Sequence, residues 1–385
     1  MSTINAKNVH ETLSKYMHAD GFDLVFDMEK SKGTHIYDKR YDREFLDLFS
    51  FFASCPLGHN HPKMMTPELI QKFGKIAMHN ITNSDLYTEE MAEFVDTFFK
   101  IAVPQEFKYS FYVAGGALGV ENAVKAAMDW KVRKNLQKGY RYEVGTQVMH
   151  FEQCFHGRTG YTLSMTNTAD PNKTKYFAKF DWPRIINPKI KFPLTEGHLE
   201  EVEKLERLAV AQIEVALAEN PDDICALIIE PIQGEGGDNH FRSEFMRELR
   251  RLADEHDFML IFDEVQSGIG LTGKMWAHQH FGMSPDMIAF GKKTQVCGFL
   301  CTDRIDEVPD NVFHVGSRIN STWGGNLIDM VRFSHYLKII QEDKLVENAA
   351  AVGKRALSSL QKLGDEFPKL ISNVRGRGLM CAFDL

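Results

Sequence analysis

The sequence between residues 109 and 302 predicts an α/β fold with a mostly parallel sheet flanked by helices. Segments with helical spacing of apolar residues alternate there with short, continuous apolar runs, which are typical of strands buried on both faces. Several of these runs end directly in polar residues, such as Asp263 and Glu264 after the run 258–262. Because ligands bind at the carboxyl edge of such a sheet, these residues are candidates for a site.

The individual elements follow from the same periodicities. The N-terminal region is expected to contain a short amphipathic helix and a hairpin turn at Lys32 and Gly33. The segment 170–193 has no clear period and is expected to be a long surface excursion. The last apolar run of the chain looks like a lone strand without a following partner. Strands are expected at 108–113, 146–151, 224–229, 258–262 and 286–290, and helices at 67–77, 89–99, 200–218, 326–341 and 344–363, with a further long helix after the glycine turn at 115–116.

The composition excludes several classes of protein. The 385 residues are 43% hydrophobic and 25% charged, as in an ordinary soluble globular protein. A net charge of -8 argues against a nucleic-acid partner, and no apolar run is long enough to indicate a membrane span. The 6 cysteines form no C-x-x-C pair, which favours thiols in a reducing, cytoplasmic compartment. His59 and His61 have no third ligand at helical spacing, so no metal site is expected.

Asp263 and Lys292 together suggest pyridoxal phosphate. The run 286–290 is followed by Gly291 and Lys292, so this lysine and Asp263 would reach the same edge of the sheet. That cofactor needs a lysine amine for its Schiff base and a carboxylate that keeps its pyridine nitrogen protonated. On these residues alone, a solvated turn at Asp263 and a helix start at Lys292 are the competing interpretations.

Three loops add candidate residues. The glycine turn before the long helix offers bare amides to an anion, although it also resembles part of a dinucleotide fingerprint in which Ala114 replaces the first glycine. The loop 153–162 holds Phe155, His156 and Arg158, and an arginine suits a carboxylate while an aromatic ring can cover a flat ligand. A glycine-rich loop with Glu235 follows the run 224–229. A tight turn is the competing interpretation of the glycine turn, and a solvated loop that of residues 153–162.

Six motifs, in order along the chain, resemble those of the class III aminotransferases of the PLP fold type I group. They are GGALGVENAVKAA, FHGR, IIEPIQGEGG, FDEVQSG, FGKKT and STWGGN. Within this family, DLFSFFASCPLGHNHP and FGKKTQVCG look most like the enzymes that act on lysine, with ornithine and 4-aminobutyrate enzymes as close rivals. The implied reaction transfers the ε-amino group of L-lysine to 2-oxoglutarate and gives 2-aminoadipate 6-semialdehyde and glutamate.

The resemblance assigns residues to the cofactor. Lys292 would form the Schiff base, Asp263 would hold the pyridinium nitrogen, and Gln266 would contact the phenolic oxygen. Thr322 would reach the phosphate of the neighbouring subunit, which implies a homodimer with shared sites. The other implied cofactor-binding residues are Gly116 and Ala117 at the phosphate, Phe155 and Val265 on the two ring faces, and Glu230.

The resemblance also assigns residues to the substrate. Arg158 would take the far carboxylate, Asn320 would lie beside the substrate, and Glu235 looks like a gate that distinguishes an ω-amine from an α-amino acid. The family places the arginine partner of this glutamate beyond position 385. Glu235 is therefore expected to lack a cation partner here, and the small domain to be incomplete.

The resemblance divides the chain into three parts. Residues 1–65 are expected to contribute to a small α/β domain and to dimer contacts, 66–320 to form the large cofactor domain, and 321–385 to supply linker helices and the start of the C-terminal small domain. A catalytically idle protein of the same fold is the alternative from a different functional class. The joint presence of Lys292, Asp263 and Arg158 argues against it, because a scaffold needs none of them.

Overall fold

A computed structural model describes residues 3–385, and the chain divides after His79 into two units. The strands of the N-terminal unit form an antiparallel hairpin in which Asp38 lies opposite Arg43. The turn of this hairpin is at residues 39–42. The turn predicted at Lys32 and Gly33 is a separate one that lies one position later, because Lys32 and His35 form a bridge around Gly33, which has a φ of 56°. The elements are α1 (Val9–Ser14), β1 (His35–Asp38), β2 (Arg43–Leu46), a left-handed turn α2 (Ser50–Ala53) and α3 (Pro67–Ile76).

The C-terminal unit, residues 80–385, contains a seven-stranded sheet. It is parallel throughout except for one strand, Cys297–Thr302, which is antiparallel to both of its neighbours. The strands of the sheet, in spatial order, are β3 (Phe107–Val113), β11 (Cys297–Thr302), β10 (Met287–Phe290), β9 (Met259–Asp263), β6 (Ile224–Ile229), β4 (Gln147–Phe151) and β5 (Arg184–Ile185). The mostly parallel sheet predicted from the sequence is confirmed.

Seven helices accompany this sheet in residues 80–385. Threonine side chains cap two of them, since Thr88 accepts a hydrogen bond from Met91 N and Thr195 accepts one from His198 N. The helices are α4 (Glu89–Ile101), α5 (Gly116–Gln137), α6 (Gly160–Met165), α7 (Glu196–Glu219), α8 (Ser243–Glu255), α9 (Leu327–Glu342) and α10 (Leu345–Glu366). Two short hairpins complete the unit, β7 (Ile232–Gln233) with β8 (Asn239–His240) and β12 (Ser372–Arg377) with β13 (Met380–Asp384).

The core lies on both faces of the sheet. Alternate residues of β6 point in opposite directions, so that Ile228 packs on the same side as α5 and Ile229 packs with α7 and α8. Trp130 of α5 is completely buried in the first of these clusters. Burial on two faces explains why the strands are continuous apolar runs without alternation.

Two predictions about the C-terminal unit need correction. Most of the expected excursion 170–193 is irregular and at the surface, as predicted, but it contains β5, which pairs with β4 at the edge of the sheet and is too short to show a period. The final run is a hairpin, because Gly378, with a φ of 58°, turns the chain between β12 and β13. Within residues 3–385, no helix is both long enough and apolar enough to cross a bilayer.

Candidate active site

The carboxyl ends of β3, β4, β6, β9 and β10 share one edge of the sheet, because these strands run parallel to one another. A cavity of about 300 Å³ lies at this edge, a volume at the lower end of the range for small-molecule sites. It is lined by Gly116, Ala117, Phe155, His156, Gly157, Arg158, Glu230, Asp263, Val265, Gln266 and Lys292. Nine of the twelve residues assigned from the sequence therefore lie in one pocket.

Lys292 opens a single 3₁₀ turn, Lys292–Thr294, directly after β10 and Gly291. Its φ of 54° is unusual for a residue with a side chain, and such strain is typical of functional sites. Its Nζ lies 3.0 Å from Oε1 of Gln266. Burial lowers the pKa of Lys292, although the charges of Asp263 and Glu230 act to raise it. A lowered pKa makes the amine a better nucleophile.

Asp263 ends β9 and is held by a histidine. Nδ1 of His156 lies 2.8 Å from Oδ2 of Asp263, and both side chains are buried. Burial opposes a charge on His156, but Cys154 and Asp263 together raise its pKa well above the ordinary value. The other carboxylate oxygen, Oδ1, accepts a hydrogen bond from Val265 N. Asp263 is thus fixed from two sides, and it faces the cavity.

His156 is a site residue to which the sequence interpretation gave no role. The available signal was its position between Phe155 and Arg158, but its partner Asp263 lies 107 residues away in the chain. The parallel pairing of β4 with β6 and of β6 with β9 brings the loop after β4 and the end of β9 to the same edge of the sheet, where the two side chains meet.

Glu230 follows β6 and organises the loop after β4. Its Oε1 accepts a hydrogen bond of 2.8 Å from Phe155 N, and its Oε2 accepts one of 3.2 Å from Gly234 N. Burial raises the pKa of Glu230 to about 8, against the lowering effect of His156. Glu230 therefore positions the Phe155 ring at the cavity wall.

Gly116 and Ala117 form the uncapped beginning of α5. No side chain caps this 22-residue helix, so its first amides are open to an anion. A Cβ at Gly116 would lie 3.1 Å from Cγ1 of Val265, so a side chain there would crowd the opposite wall. The site fits pyridoxal phosphate: the free amides suit its phosphate, the lysine suits its aldehyde, and the buried carboxylate suits its pyridine nitrogen.

Arg158 is the exposed cation of the pocket. Its guanidinium makes no hydrogen bond or ion pair with residues 3–385, although it lines the cavity. A free guanidinium at a pocket wall is suited to bind a carboxylate from solution.

Glu235, Thr322 and Asn320 do not line the cavity. Glu235 has a cation partner, which corrects the expectation that it lacks one. Its Oε1 lies 2.6 Å from Nζ of Lys173 and 2.6 Å from Oγ1 of Thr168. The sequence interpretation missed Lys173 because it lies in the segment 170–193, which showed no period. Asn320 and Thr322 are exposed on the loop before α9.

The sheet, the start of α5 and the lysine–aspartate pair define a pyridoxal phosphate enzyme of fold type I. The aminotransferase class-III family matches residues 16–385, and the chain belongs to this family, whose cofactor is pyridoxal phosphate.

The chain resembles particular members of the family over almost its whole length. It is 48% identical to an L-lysine-epsilon aminotransferase of Mycobacterium bovis, over 98% of this chain and 83% of that protein. It is 46% identical to the enzyme of the same name from Streptomyces clavuligerus, over 100% of this chain and 84% of that protein. A solved structure of a lysine aminotransferase from M. tuberculosis in the internal aldimine form matches with a TM-score of 0.96 at 48% identity, over 99% of this chain and 87% of that one.

Proposed function

We propose that this chain transfers the ε-amino group of L-lysine to 2-oxoglutarate, giving 2-aminoadipate 6-semialdehyde and glutamate. The observation that carries the proposal is an identity of 48% across nearly the full chain to an enzyme named for lysine ε-amino transfer. The pocket supports it, because a nucleophilic lysine, a buried carboxylate and a free arginine line the same cavity. These groups meet the needs of a reaction that moves an amine on a carboxylate-bearing substrate.

Two residues would carry the proton chemistry. Pyridoxal phosphate supplies an electron sink that stabilises the carbon from which a proton is removed. Asp263, oriented by His156, would keep the proton on the pyridine nitrogen. Lys292 would hold the cofactor covalently and, once released by the substrate amine, take the proton from Cε of lysine. Its lowered pKa favours the neutral amine that this step requires.

The remaining cavity residues would position the cofactor. Gly116 and Ala117 would donate their amides to the phosphate, and Gln266 would contact the ring oxygen. Phe155, held by Glu230, and Val265 would enclose the ring between them. This arrangement restricts the ring to one plane.

The proposal includes a homodimer with shared sites. Thr322 lies outside the pocket lining of its own chain, as is expected of a residue that acts across an interface. Trp323, the next residue, is 51% exposed, and tryptophan is enriched in interfaces. Sedimentation equilibrium of the purified protein tests this part of the proposal.

The domain division and the location are also proposed. Residues 1–65 would contribute to a small domain and to dimer contacts, which their exposed Leu48 and Phe52 support. Residues 66–320 would form the cofactor domain, and 321–385 the linker helices and part of the small domain. All 6 cysteines are free, which supports a cytoplasmic location.

Arg158→Ala is expected to weaken lysine and glutamate alike. Each substrate would lose a charge-assisted hydrogen bond, which is worth about 1.5–3 kcal/mol, so KM should rise by about 10-fold to 100-fold with little change in kcat. Arg207→Ala is the matched control, because Arg207 is exposed on α7 and does not line the cavity. An unchanged KM for lysine in the Arg158 variant would remove this residue from the substrate site.

A panel of amines tests the choice of substrate. Lysine, ornithine and 4-aminobutyrate are each mixed with the holoenzyme, and the loss of the cofactor's absorbance band is followed by stopped flow. We expect the ratio of the reaction rate to Kd to be highest for lysine. A larger value for ornithine or 4-aminobutyrate would reject the proposed substrate, and no reaction with any amine would favour an idle protein of this fold.

A further inference from the structure

Lys293, the residue after the proposed cofactor lysine, is buried outside the pocket lining. It is 3% exposed and does not line the cavity. Its Nζ donates a hydrogen bond of 2.6 Å to the main-chain carbonyl of Gln266. This bond joins the turn after β10 to the loop after β9.

Two consecutive lysines therefore hold one glutamine. Lys292 contacts the side-chain carbonyl of Gln266 at 3.0 Å, and Lys293 contacts its main-chain carbonyl at 2.6 Å. Gly234 packs closely against the side chain of this glutamine, because a Cβ at Gly234 would lie 2.5 Å from Gln266 Cδ. The Gln266 side chain cannot move towards Gly234. The direction in which it points therefore depends on the position of the Gln266 main chain.

Burying this amine is unfavourable. If the contact only joined the turn after β10 to the loop after β9, it would therefore cost stability. Burial lowers the pKa of Lys293 to about 7, and the charge of Lys292 acts in the same direction, while Glu264 opposes both. An apolar side chain would fill the same space without this penalty.

We propose that Lys293 is a positioning residue for the cofactor. By holding the main chain of Gln266, it fixes the spacing between the Gln266 amide and the Lys292 amine, the two groups that would face the ring oxygen and the aldehyde carbon. The inference rests on the proposed function in that both groups are assigned to pyridoxal phosphate.

The test compares Lys293→Met with Lys131→Met. Lys131 is a matched control in the same unit, because it is 1% exposed and its Nζ donates a hydrogen bond of 2.6 Å to the main-chain carbonyl of Asp257. It does not line the cavity. Each substitution removes a buried amine that binds a main-chain carbonyl, so both apoproteins should have a lower Tm.

Two measurements separate positioning from stability. The first is the Kd of each apoprotein for pyridoxal phosphate, and the second is the visible circular dichroism of the bound cofactor, which reports its orientation in the site. We expect the Kd of the Lys293 variant to rise on the order of tenfold, the effect of one hydrogen bond, with an altered dichroism. The Lys131 variant should match the wild type in both.

Either of two results would overturn the inference. One is a wild-type Kd and dichroism in Lys293→Met, and the other is an equal change in Lys131→Met. If Lys293→Met does not fold, Lys293→Gln replaces it, because that side chain is one bond shorter and breaks the contact while remaining polar; the same outcomes apply. Failure of the wild-type protein to bind pyridoxal phosphate would instead reject the proposed function.

Discussion

Replacing Lys292 by alanine is expected to abolish both covalent attachment of the cofactor and turnover. Lys292 is the lysine whose amine lines the cavity, and it would serve both as the attachment point and as the base. The loss of a positioned base alone accounts for about 10²-fold to 10⁴-fold in rate, and loss of the attachment adds to it. We therefore expect kcat to fall by at least about 10⁴-fold.

Borohydride reduction followed by peptide mapping checks this result. The wild type should carry the reduced cofactor on Lys292, and Lys292→Ala should carry none. Lys293→Ala is the neighbouring comparison and should retain the label on Lys292, since Lys293 points to the Gln266 carbonyl and away from the cavity. A label on Lys293 in the wild type would show that the assignment is off by one residue.

Asp263→Asn is expected to retain the cofactor but to lose most of its turnover. The amide carries no charge with which to keep the pyridine nitrogen protonated, and it also removes the charged partner of His156. Loss of one preorganised electrostatic contact costs about 10²-fold to 10³-fold in kcat, and the effect should appear in kcat more than in KM.

Asp286→Asn is the matched control for this substitution. Asp286 is also buried, but it precedes β10 at the opposite edge of the sheet and pairs with Arg250 and Arg304. That variant should lose stability and keep its specific activity. Near-normal kcat in Asp263→Asn would remove the carboxylate from the proposed chemistry.

The sheet and most of the cavity lining were predictable because each depends on local sequence. Strands buried on both faces form continuous apolar runs, and the residues that follow them must lie at the carboxyl edge when the strands are parallel. Such positions, at the carboxyl end of a parallel strand, are occupied by Asp263, Glu230 and Lys292. Their proximity therefore follows from the parallel sheet alone.

The contacts that the sequence interpretation missed join residues far apart in the chain. His156 meets Asp263, and Lys173 meets Glu235, only after the loops fold over the sheet edge. Short strands were missed for a different reason, since the two residues of β5 carry no period. The final hairpin depended on recognising Gly378, between Arg377 and the apolar run that starts at Leu379, as a turn.

The most direct test of lysine ε-transamination follows the nitrogen. The holoenzyme is incubated with 2-oxoglutarate and lysine that carries ¹⁵N only at the ε-amine, and the glutamate formed is analysed by mass spectrometry. The proposal predicts that the glutamate carries the label. Unlabelled glutamate would show that the α-amine is transferred, and it would contradict the assignment.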